Sequence, residues 1–296
     1  VGTALDSVLA QTYRNIEVIV VDDGSTDDTP RVLAPYADRV TVISKANGGP
    51  STASNRAFQS ARGSLIKFFD ADDIMGAELI ERQVLRLGSR RDAVAIGEWS
   101  RFVGEEPRAA SPGKLPRHRD ADPVDWLCKT WMNALPMMQC ALYLIPRDVL
   151  LRSGLWDVRL SLLNDFEFFA RVLLSAKEII HTPGAHLFYR SGIAGTVSGR
   201  KSRTAVESAF LSVSLGTQHL LAAADSPQAR RACANVLQNF EYEYYPEHPD
   251  LRASARRRAA ELGGADIAPV GPPRFHMLRR LVGWRVARRV QLAMGR

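Results

Sequence analysis

The chain is poor in cysteine, poor in lysine and without a long apolar run. Its three cysteines, Cys128, Cys140 and Cys233, lie far apart and form no C-x-x-C pair. That excludes a disulfide framework and a cysteine zinc site, and a reducing, cytoplasmic setting is the expectation. No stretch approaches the ~20 apolar residues that span a bilayer, and the first residues lack a secretory pattern. Acid is absent from residues 274–296, where seven arginines stand, and those seven charges account for the whole net charge of +7. The remainder is formally neutral. A nucleic-acid-binding domain needs a basic face of its own, so no nucleic acid is expected as a partner. Arginine outnumbers lysine 33 to 6, a bias expected of a GC-rich bacterial genome.

What is present is an ordinary globular composition, 46% hydrophobic and 24% charged over 296 residues, enough to bury a full core. Ala4, Leu5, Val8 and Leu9 repeat at helical spacing, and Ile16–Val21 is a β-branched run of the kind found in buried parallel strands. Thr29-Pro30 reads as a helix cap and first turn. Strands are predicted at Val40–Ile43, Leu65–Phe69, Ala93–Ile96, Ala141–Ile145 and Ala185–Tyr189. Helices are predicted over 51–61, 77–87, from Arg147, and over 164–174. This alternation predicts an α/β, Rossmann-like, mostly parallel doubly wound sheet flanked by helices, which binds ligands beyond the carboxyl ends of its strands. Gly104–Pro123 reads as a loop, residues beyond 200 as helical, and Pro269–Pro273 as a linker.

Two strand ends carry acid. Asp70-Ala71-Asp72-Asp73 places three carboxylates within one turn of chain, and crowded like charges are unfavourable unless neutralised. An all-oxygen set favours Mg²⁺ or Mn²⁺ over zinc. Helix capping is the competing reading, but one cap needs one acid. Asp22-Asp23-Gly24-Ser25 reads equally as a turn or as carboxylates that accept from a nucleobase N–H, with Gly24 allowing close approach.

Three stretches, "SVLAQTYRNIEVIVVDDGSTDDT", "NGGPSTASNRA" and "GSLIKFFDADD", resemble in order and spacing the family 2 inverting glycosyltransferases of the GT-A fold, over residues 2 to about 199. The resemblance implies nucleotide contacts from Asp22, Asp23, Asn47, Gly48, Gly49, Ser51, Asn55 and Asp70, and a Mn²⁺ or Mg²⁺ ion held by Asp72 and Asp73. It also implies a catalytic base at Asp165, beside Asn164 where the family usually has Glu. Locally, Asn164-x-x-Glu167 also reads as a capping box. The implied reaction transfers a sugar from a nucleotide-diphosphate donor, read as a UDP-sugar, to a hydroxyl of a glycan or lipid-linked acceptor in bacterial surface polysaccharide synthesis, with inversion.

The sequence departs from the family in three places. The family's first hydrophobic strand does not precede Val1, so the sequence is read as starting after it. No histidine follows Tyr189-Arg190, and His186 is a lone histidine read as structural. Asn164 replaces the usual Glu. The Asn164 change and the missing histidine support an alternative, a catalytically impaired nucleotide-sugar-binding or scaffold protein on the same fold. A nucleotidyltransferase is disfavoured because no glycine- and basic-rich triphosphate loop appears near the start. The expected division is a GT-A domain over 1–199, a helical extension over 200–267 and a basic aromatic-aliphatic tail helix over 273–296. That tail is read as a segment for an anionic membrane surface, placing the chain peripherally on the inner face of the cytoplasmic membrane.

Overall fold

The computed structural model describes residues 1–107, 110–113, 119–134, 138–192 and 202–294. The chain opens with helix α1 (Gly2–Leu9), strand β1 (Ile19–Asp22), helix α2 (Thr29–Leu33), strand β2 (Thr41–Ser44) and helix α3 (Pro50–Ser60). Strands β1 and β2 pair in parallel, with Val20 opposite Val42. Helix α2 starts as the Thr-Pro pair predicts, but its cap position is Asp28 and not Thr29. The Thr29 N–H bonds Asp27 instead, at 3.0 Å.

Strands β3 (Leu65–Ile66) and β4 (Ile74–Met75), helix α4 (Leu79–Leu87), and strands β5 (Ala93–Phe102) and β6 (Ser111–Pro112) follow. Helix α5 (Pro123–Trp131), strand β7 (Tyr143–Pro146), helices α6 (Arg147–Ser153) and α7 (Asn164–Leu174) and strand β8 (Glu178–Arg190) complete the body. The second sheet has the order β3-β7-β5-β8-β4, with β6 added on β5. Only β5 and β8 run parallel in it, and the other pairs are antiparallel. The sheet is therefore mixed, where the strand–helix alternation predicted a mostly parallel one. Alternation tells that a strand returns to the sheet; it does not tell from which end it enters.

Between β1 and β3 there is no hydrogen bonding. Each keeps one edge without a strand partner among the described residues, and both border a cavity of about 1800 Å³ that α1 and α3 also line. The predicted strand over 65–69 shortens to two residues there, because a strand propagates only where a neighbour takes up its N–H and C=O groups.

Four helices close the chain: α8 (Arg203–Ala223), α9 (Pro227–Glu243), α10 (Pro249–Glu261) and α11 (Pro273–Ala293). The main hydrophobic core runs from Val8 to Ala259 and takes in residues of the body and of α8, α9 and α10 alike. Gly216 shows how closely α8 lies on α7: a Cβ there would fall 2.5 Å from the Phe166 ring. The expected boundary at 199 falls outside the described residues. Helix α11 bends at Gly283 (φ 76°, ψ 159°) and buries only Phe275 and Ala287, while Trp284 packs edge-on against Tyr242 and Tyr245. No helix among the described residues is long and apolar enough to cross a membrane.

Candidate active site

The first acidic strand end is tied into the fold. Asp22 Oδ1 accepts from the Ser25 N–H at 2.9 Å. Asp23 pairs with Lys45 and accepts from the amides of Gly48 (3.0 Å) and Gly49 (2.7 Å). Burial alone would raise the Asp23 carboxyl, but Lys45 and the two amides outweigh it and hold the group below its ordinary value. Asp23 thus draws the 47–49 turn against the end of β1. Gly24 lies in that contact with φ +77°, and a side chain on it would meet the Asn47 backbone at 2.8 Å, so only glycine serves there.

Ser51 and Asn55, predicted to shape a nucleotide pocket, bond to protein. Ser51 Oγ donates to the Leu160 carbonyl at 2.8 Å and accepts from Asn164 Nδ2 at 3.2 Å. The Asn55 amide clamps the Trp156 peptide, donating to its carbonyl (2.9 Å) and accepting from its N–H (3.0 Å). Asn47 is exposed at the turn.

The second acidic strand end gathers Asp70, Asp72 and Asp73, with one carboxylate oxygen from each lying within 4.8 Å of the others. Asp73 is buried and Asp70 and Asp72 are exposed. Solvent touches Asp70, yet protein surrounds its carboxyl, and that enclosure first, then the charge of Asp72, pushes it up. Asp73 rises to about 8, with burial the largest cause. Three oxygen donors that repel one another across a few ångströms fit a hard divalent cation, and nothing softer is in the set. Two residues that sequence reasoning passed over hold this cluster. Gln139 Nε2 donates to Asp73 Oδ2 (2.5 Å) and Asp70 Oδ2 (3.3 Å). Arg190 gives its N–H to Asp73 Oδ1 (2.8 Å) and its Nε to the Asp72 carbonyl (2.7 Å). Their separation from the motif, 66 and 117 residues from Asp73, left no local signal. His186 stands apart, with its Nε2 at 2.9 Å from Ser100 Oγ.

Asp165 opens α7 and lines the same cavity as Asp70 and Asp72. Solvent reaches it, yet protein encloses it. Burial first, then the charge of Asp70, raises its carboxyl to about 7. Its aim is set from both sides. Leu163, just before the helix, sits in the left-handed region at φ 57°, a conformation that costs a non-glycine residue energy. Helix α8 holds it there: Ser208 Oγ accepts from the N–H groups of Ser161 (2.8 Å) and Leu162 (3.1 Å), and Ser212 Oγ donates to the Leu163 carbonyl. The capping box predicted from Asn164 and Glu167 does not form. Leu163 occupies the cap position without a side-chain cap. Glu167 is drawn inward instead, to Arg171 at 2.7 Å and His219 at 3.1 Å, because buried charge needs partners that solvent cannot supply.

Residues 1–143 match the family model described as glycosyl transferase family 2. An uncharacterized glycosyltransferase of Rickettsia felis is 31% identical over 179 residues, covering 57% of this chain and 28% of the relative. An uncharacterized glycosyltransferase of Rickettsia prowazekii is 29% identical over 166 residues, 55% of this chain and 51% of the relative. The chain thus spans about half or less of the length of these curated relatives. Among solved structures, Staphylococcus aureus TarS 1–349 in complex with UDP-GlcNAc superposes with a TM-score of 0.68 at 17% identity, covering 88% of this chain and 76% of that one. This likeness includes the C-terminal helices and shows the fold. With its acidic strand ends and mixed sheet, the chain carries a glycosyl transferase family 2 domain over residues 1–143 and adopts the GT-A fold.

Proposed function

We propose that this chain is an inverting glycosyltransferase that moves a sugar from a UDP-sugar to a hydroxyl of a glycan or lipid-linked acceptor. One observation carries the reading: an enclosed carboxylate, Asp165, and an acidic cluster suited to a divalent ion line a single cavity. The TarS structures hold UDP and UDP-GlcNAc on the same fold, which supports the donor class. Asp165 accepts the proton of the attacking acceptor hydroxyl; a base raised to about 7 has the affinity for a proton that this task requires. The acceptor oxygen bonds to the anomeric carbon as the bond from that carbon to the diphosphate oxygen breaks, and UDP leaves on the opposite face. A single displacement from the face opposite the leaving group inverts the anomeric centre. Asp72 and Asp73, beside Asp70, would hold Mn²⁺ or Mg²⁺, which would supply neutralisation of charge on the departing diphosphate. Asp22, Asp23 and the 47–49 turn border the nucleotide, and Ser51 and Asn55 act by fixing α3 to the 156–164 segment.

In the same proposal residues 1–199 form the transferase body, 200–267 its helical support and 273–296 a tail. The tail exposes Met277, Leu281, Val286 and Met294 among arginines, a composition suited to an anionic membrane surface. Such a surface fits a role in polysaccharide assembly at the inner face of the cytoplasmic membrane.

The test is UDP release from UDP-sugars with Mn²⁺, comparing the protein with Asp165→Asn. Loss of release in the variant with UDP binding retained supports the assignment. Equal release from both removes Asp165 as the base, and UDP binding by the unaltered protein without turnover supports a scaffold.

A further inference from the structure

The cavity that contains Asp165 does not end at the transferase body. It continues along the helical extension, where Val213 of α8, Val236, Asn239, Phe240 and Glu243 of α9, and Tyr244 at its C-cap line it. Positions 239, 240, 243 and 244 are neighbours on one face of a helix, so the last turns of α9 present one continuous wall. That wall has two kinds of surface. Phe240 and Tyr244 form an aromatic pair, with centroids 4.6 Å apart and planes tilted 43°. Beside them are the Asn239 amide, the Glu243 carboxylate and the Tyr244 hydroxyl, none of which has a hydrogen bond or ion pair within the described protein. Other polar groups nearby are satisfied: Glu241, two residues from both Asn239 and Glu243, takes Arg256 and Arg285, and Asn235 takes Asp266 and the Met132 carbonyl.

A cavity wall that pairs aromatic faces with uncommitted donors and acceptors suits a ligand carrying both C–H faces and hydroxyls. The sign of the charge narrows the class. The cationic residues that line the cavity, Arg62, Lys67, Arg101 and Arg190, all come from the body. The α9 wall contributes Glu243 and no cation, which disfavours a phosphate group there. Tertiary packing has put this wall and Asp165 on one cavity although the two lie more than 70 residues apart in sequence.

We propose that the C-terminal turns of α9 form the acceptor subsite and take an uncharged, hydroxyl-bearing sugar unit, with Tyr244 stacking on its face and Asn239 and Glu243 bonding its hydroxyls. This rests on the transferase reading above. It makes the helical extension a part of acceptor selection as well as a support.

The experiment is saturation-transfer NMR with the methyl glycosides of glucose, galactose and N-acetylglucosamine, and with glycerol 1-phosphate, on the protein saturated with UDP and Mg²⁺. At least one glycoside should receive saturation from the protein, and glycerol 1-phosphate should receive none that Tyr244→Leu removes. The Tyr244→Leu and Asn239→Ala variants should weaken that glycoside about tenfold, and Tyr244→Phe should weaken it less. Calorimetry of UDP binding on the same samples should show no change, which also establishes that the variants are folded. The proposal is overturned if no glycoside receives saturation, if the variants bind it as well as the parent does, or if glycerol 1-phosphate is preferred. Failure of the donor reading registers separately, as absence of UDP heat in the unaltered protein.

Discussion

Gln139 donates from one amide nitrogen to Asp73 at 2.5 Å and to Asp70 at 3.3 Å, bracing two of the three clustered carboxylates from behind. Its oxygen accepts the Ala141 N–H at 2.7 Å, so the amide cannot turn without losing a bond at both ends. Gln139→Leu should fold and bind Mn²⁺ 10- to 100-fold more weakly, the usual loss when a residue behind metal ligands is removed. Electron paramagnetic resonance of free Mn²⁺ measures this without turnover. Unchanged affinity would show that the carboxylates hold their positions unaided.

Glu167 is almost fully buried and bonded to Arg171 and His219. Burial opposes its ionisation, yet His219 and Arg171 prevail and hold its pKa below 4.5. A depressed carboxylate contributes stability that is complete above its unfolded value and is lost as pH falls through the folded one. Urea midpoints should therefore be level from pH 7 to about 5 and drop below about 4.5. Glu167→Gln should cost about 2–3 kcal/mol at pH 7 and flatten that acid limb.

Ser212 ties α8 to the chain on both sides of the base, donating to the Leu163 carbonyl two residues before it and accepting the Glu167 N–H two residues after it. Ser212→Ala should lower stability by about 1–2 kcal/mol and slow sugar transfer more than it weakens UDP binding. Turnover and UDP titration on one preparation separate the two effects. A variant that loses both equally would mean that α8 shapes the nucleotide pocket as well.

Helix α11 leaves Leu281, Val286 and Val290 exposed on either side of its bend. Removal of residues 273–296 should abolish sedimentation with phosphatidylglycerol vesicles. In the intact chain sedimentation should weaken with salt, because each arginine near an anionic surface contributes about 1 kcal/mol of screened attraction. Sedimentation that survives the truncation would place any membrane contact elsewhere.

Much of the body was legible because its signals are local. The run Ile16–Val21 followed by Asp22-Asp23-Gly24 contains its own strand and turn chemistry, and β1 with the Asp23-anchored turn forms nearly where the residues predict. The acid run at 70–73 was equally plain, since three carboxylates in one turn of chain need no partner to be noticed. Asn164 and Glu167 show the reverse. Their i, i+3 spacing is a valid local signal, and it lost to Ser51 and to Arg171 and His219, because a buried carboxylate gains more from cationic partners than from one exposed amide.

By itself, then, the sequence determined the family resemblance, the main strand–helix alternation up to β5 without the short strand β4, and which carboxylates stand at strand ends. Each of these depends on residues close in the chain. It did not show β6 or helix α5. Only the tertiary structure decided the strand directions, the bracing of Asp70 and Asp73 by Gln139 and Arg190, the strained Leu163 that aims Asp165, and the shared cavity of Asp165 and α9. Those outcomes depend on which distant groups satisfy one another once water is excluded, and spacing along the chain carries no record of that competition.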